Sequence, residues 1–63
     1  MMSSAVQSAV AVALALQELD HLKAMGLHPT VEQLQERLRA RGADFDLVVK
    51  AAAAFLQMPE AAR

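Results

Sequence analysis

Residues 9–16 read AVAVALAL, with alanine at every odd position and a larger aliphatic residue at every even one. Strict alternation is the mark of a half-buried strand. Alanine, however, is the best helix former and is depleted from strands. No Gly or Pro bounds the run, and no second strand-like run exists to pair with it. A lone strand leaves its backbone groups unsatisfied. The stretch reads as helix, and the rest of the chain follows from that assignment.

Working outward, helix one is expected over about residues 4–25. Gly26 suits the left-handed position just past a helix end, and Pro29 cannot continue the helix. Thr30-Val31-Glu32-Gln33 then matches a capping box, which starts helix two at Val31. Arg37, Arg39 and Arg41 load its last turns with positive charge, as the helix dipole favours, and Gly42 closes it near residue 41. Asp44 is a good N-cap for helix three, with Asp46 favourable in the first turn. That helix should run over 45–57, because Pro59 disfavours helix at Met58. The fold class is therefore all-α: one small three-helix domain spanning 1–63.

At about 100° per residue, alternation scatters the large side chains around helix one instead of gathering them. Ala5, Ala9, Val12, Leu16 and Leu19 fall on one side, which is expected to face the chain's own core. Val6, Val10 and Leu14 fall on another. Helix two offers a single stripe of Val31, Leu34 and Leu38. Helix three gathers Phe45, Val48, Val49, Ala52 and Leu56, with Phe55 at the margin. Two short helices cover one side of helix one, so the Val6/Val10/Leu14 strip is left over as a self-association surface. Closure by a two-fold axis is the commonest arrangement, and the expectation is a homodimeric helical bundle.

Bulk composition supports association. A chain of 63 residues with no cysteine has no disulfide or Cys-based metal site to reinforce a core expected to supply only about 3–5 kcal/mol. Hydrophobic residues make up 56% of the chain, and the formal net charge is −1, which supplies no global attraction to nucleic acid or anionic lipid. The apolar run at 9–16 is far short of the roughly 18 residues a membrane span needs. No basic residue precedes Lys23 to make a secretory signal. The expected setting is a bacterial cytoplasm.

No catalytic constellation emerges. Ser3, Ser4 and Ser8 have no histidine near them in sequence. Asp20 and His21 are adjacent, so on a helix they point about 100° apart. His21 and His28 are separated by the Gly26–Pro29 break and are too few for a structural zinc site. The chain is read as a non-enzyme without cofactor or metal. The Ala51–Ala54 run is explained by helix propensity. Arg37, Arg39 and Arg41, with Lys50, are the candidate nucleic-acid contacts, since basic side chains beside a turn hold phosphates in helix-turn-helix proteins. Solvated charge at a helix C-terminus is the simpler account of the arginines. Arg37 and Arg41 share a side near the Leu34 stripe, and Arg39 points away.

The segment GLHPTVEQLQERL, carrying Gly26, Pro29, Thr30, Val31 and Leu38, resembles the N-terminal DNA-binding domain of KfrA-type plasmid regulators. The resemblance covers about residues 10–56 and implies a helix-turn-helix reading. The family's Gly-Ser-rich turn before the third helix is here Arg-Gly-Ala-Asp-Phe-Asp, keeping only Gly42. It also places Asp44 and Asp46 where a DNA-facing helix would begin. Two functions follow as expectations: a small regulatory or adaptor protein working through helix-mediated protein–protein interaction, and, as the alternative, a small helix-turn-helix DNA-binding transcriptional regulator.

Overall fold

The computed structural model describes residues 3–63, in three helices, α1 (Ser4–Ala24), α2 (Val31–Ala40) and α3 (Phe45–Gln57), followed by a 3₁₀ turn at Glu60–Ala62. No strand occurs among the described residues, and AVAVALAL lies wholly within α1. Among the described residues, no helix is long and apolar enough to cross a membrane.

Local chemistry sets every boundary. Ser3 Oγ accepts the Val6 N–H at 3.2 Å and starts α1. At the other end Gly26, with φ of +79°, lets the Leu27 N–H reach the Leu22 carbonyl at 3.1 Å, while the Gly26 N–H reaches Lys23 at 2.9 Å. This double reversal satisfies carbonyls that a helix end leaves open. Helix α2 ends identically: Gly42 has φ of +85°, and Ala43 and Gly42 donate to Leu38 and Arg39. The capping box forms in full, Thr30 Oγ1 accepting from the Gln33 N–H and Gln33 Oε1 from the Thr30 N–H. Asp44 Oδ1 accepts the Leu47 N–H at 2.8 Å and starts α3.

The three helices meet in one apolar cluster of Ala11, Ala15 and Leu19 from α1, Leu34 and Leu38 from α2, and Val48, Ala51 and Phe55 from α3. Helix α1 packs most extensively on α3. Ala11 and Ala15 of α1 and Ala51 of α3 are fully buried within that cluster.

The faces differ from the sequence expectation. Of the strip assigned to the core, only Leu19 is buried; Ala5, Ala9, Val12 and Leu16 are exposed. The inward side is instead Ala11, Ala15, Glu18, Leu19 and Leu22. Leu14 packs against the core cluster, Val10 is half-buried and Val6 is exposed, so these three do not form one outward strip. In α3, Phe55 is core, whereas Phe45, Val49 and Leu56 turn outward. The physical reasons differ. Apolar residues surround so much of α1 that periodicity alone does not pick a side. In α3, Asp46, Lys50 and Gln57 lie opposite the buried Val48, Ala51 and Phe55, and the expected stripe is centred too far round.

Candidate functional site

Glu18 orients α1. Its side chain is 1% exposed, yet it sits among apolar core positions. Oε2 accepts from Arg37 Nε at 2.9 Å and Oε1 from Arg41 Nη1 at 2.5 Å. Arg37 and Arg41 are four residues apart on α2 and therefore lie on the same side of it. Each carboxylate oxygen receives one guanidinium, and no buried side-chain nitrogen or oxygen lacks a partner among the described residues. Burial pushes the Glu18 carboxyl up. The Arg37 hydrogen bond and charge, with the charge and hydrogen bond of Arg41, outweigh it, holding the carboxyl below its ordinary value. The arginine side chains themselves remain 40% and 57% exposed, so the clamp joins a buried anion to cations at the surface.

The clamp changes what the basic residues are free to do. Two of the four candidate nucleic-acid contacts, Arg37 and Arg41, already hold Glu18. Lys50 Nζ donates to Gln7 Oε1 at 2.6 Å across the α1–α3 seam. Arg39 is exposed and has no side-chain partner among the described residues. The structure does not bring the four together as one basic surface.

Outward from α3 lies a mostly apolar face. Phe45 is 76% exposed, and Val49 and Leu56 follow along the same strip, with Asp44 and Asp46 at its start. A second outward strip, Ala9, Val12 and Leu16, runs along α1. Met25 and Leu27 form a third exposed apolar group beside a shallow groove bordered by Glu36, Arg37 and Ala40. Among the described residues, eight large hydrophobic side chains are exposed, while six are buried and Leu14, Val31, Leu47 and Met58 pack partly buried against the core cluster. Both His21 and His28 are exposed.

Sequence reasoning gave Glu18 no role. The signal was nonetheless present. Ala11, Ala15, Glu18 and Leu22 recur at helical spacing, which places a carboxylate on an otherwise apolar stripe. A buried carboxylate needs cations, and Arg37 with Arg41 already read as lying beside the Leu34 stripe. No family model matches this chain, and no curated protein or solved structure does.

Proposed function

We propose that this chain is a non-enzymatic interaction module, a small regulatory or adaptor protein whose helix faces bind other protein surfaces. One observation carries the reading: eight large hydrophobic side chains are exposed on this small body, Phe45 most of all. Contiguous exposed apolar surface on a small protein marks contact sites, and helical strips of this kind serve helix-to-helix recognition. The engagement of Arg37, Arg41 and Lys50 within the fold supports it further, since three cations are already committed.

The second reading is a helix-turn-helix DNA-binding regulator, in keeping with the KfrA-type resemblance. It is favoured by α2 and α3 being joined by the short turn Arg41–Asp44, with Gly42 at positive φ. Against it, the outward face of α3 begins with Asp44 and Asp46 and continues through Phe45 and Val49, a face that phosphates repel and base edges do not reward. A gel shift at low and moderate salt separates the two. The interaction reading expects no retardation of duplex DNA at any salt. Binding that weakens steeply as salt rises, as counterion release demands, would overturn it.

A further inference from the structure

Beyond α3 the chain turns back on itself. Met58 and Pro59 are extended, with ψ of 145° and 146°, so the backbone leaves the helix axis there. Residues 59–62 are exposed. The turn that follows holds itself together: the Ala62 N–H donates to the Pro59 carbonyl at 2.9 Å and the Arg63 N–H to that of Glu60 at 3.3 Å. Among the described residues, three hydrogen bonds tie this segment to what precedes it, and cationic side chains give all three. Lys23 Nζ, from the last turn of α1, donates to the Ala62 carbonyl at 3.0 Å. Arg63 Nε donates to the Met58 carbonyl at 3.1 Å and Nη2 to that of Leu56 at 3.3 Å. The same guanidinium stands over the Phe55 ring, 5.7 Å from its centroid.

We propose that residues 59–63 are a strap, closed in this structure, that opens as a unit about Met58 and Pro59 while the three helices stay packed. The strap is one wall of a groove. Glu60 and Arg63 line it from the strap, Phe55 and Leu56 from α3, and residues 28–31 from the start of α2. Opening widens that groove and uncovers the Phe55 ring. The inference goes beyond the interaction reading and does not depend on it.

Three observations carry it. The first is the hinge. Pro59 has no N–H, so the backbone gives no hydrogen bond at the point where the direction changes. The second is the attachment. Segments held by few buried apolar contacts open locally at low free energy. None of residues 59–62 is buried, whereas the helices share a cluster of eight buried residues. The third is the reason for closure. Helix α3 has no basic side chain in its last turn, and a helix end leaves carbonyls open at its negative pole. Arg63 brings a cation to the Leu56 carbonyl from outside the helix. Lys23 then fastens the strap to α1, so one short turn spans the ends of two helices.

Amide hydrogen exchange of the intact chain in low urea tests this. Exchange at Ala62 should not change with urea, whereas exchange at Ala15 and Ala51 should accelerate, because only global unfolding exposes much new surface. Lys23→Met should speed exchange at Ala62 about tenfold and leave Ala15 and Ala51 unchanged. Arg63→Ala should do the same from the other anchor. The groove is read separately. Val31→Cys should react with a thiol reagent about fivefold faster when Lys23 is replaced by Met, and Ala13→Cys, exposed on α1, should react at one rate in both. Urea dependence at Ala62 equal to that at Ala15 would make the strap part of the bundle and overturn the proposal. So would exchange at Ala62 at the rate of a free peptide in the unaltered chain, or indifference of Val31→Cys to loss of Lys23. DNA binding in the gel shift sinks the interaction reading and leaves the strap untouched.

Discussion

Glu18 is the one buried charged side chain among the described residues, and a carboxylate that is 1% exposed survives only where cations reach it. The partners are unequal in what they lose. Removing Arg37 and Arg41 together strands a buried anion, whereas removing Glu18 releases two arginines that are already partly in water. We therefore expect Arg37→Met/Arg41→Met to cost about 3–5 kcal/mol and Glu18→Met about 1 kcal/mol or less, measured by urea denaturation. Equal costs would refute the asymmetry. The pH dependence has a definite sign. With its folded value depressed, Glu18 contributes stability that is present above the ordinary carboxyl value of 4.5 and disappears as pH falls through the folded value. Thermal melting should be level down to about pH 5 and decline below it. Glu18→Gln should remove part of that decline, and an unchanged acid slope in the variant would count against it.

Helices α1 and α2 share one design at their ends: a hydroxyl cap at the start and a glycine at positive φ at the finish. Those signals are local, involving residues no more than five apart, and all were readable before any tertiary structure existed. The Thr30 cap is expected to be worth about 1 kcal/mol, lost in Thr30→Ala. Face assignment was far less legible. In α1 the aliphatic residues of AVAVALAL surround the helix, so the core side was chosen by packing rather than periodicity. Ala11 and Ala15 are fully buried in the cluster that α1 shares with α2 and α3. Ala15→Leu should accordingly destabilise by about 1–3 kcal/mol through overpacking. Ala13→Leu, on the exposed side, should stay within about 0.5 kcal/mol. Calorimetry of the two variants side by side checks which way the helix faces.

Taken whole, the molecule is a three-helix body that leaves eight large hydrophobic side chains exposed. An associated fold has a melting temperature that depends on protein concentration, because partner binding stabilises by mass action. Melting of this chain should rise with each tenfold increase in concentration. A midpoint independent of concentration would mean that the exposed face contributes nothing to stability. The same exposure weighs against a nucleic-acid surface, since the outward side of α3 presents Phe45, Val49 and Leu56 where phosphate contacts would require cations.

Capping, turn chemistry and helix propensity are properties of short segments, so the sequence by itself determined three helices, their ends and the turns between them. Which side of α1 faces inward was decided only by the tertiary structure. A helix apolar almost all round has no preferred side until a neighbour supplies one. Here the neighbours were α2, offering two guanidinia to Glu18, and α3, offering Ala51 to the alanines of α1. The pairing of Glu18 with Arg37 and Arg41 spans 19 and 23 residues. Local periodicity cannot see an interaction at that range. It nonetheless turned α1 so that Val12 and Leu16, expected inside, became part of the surface.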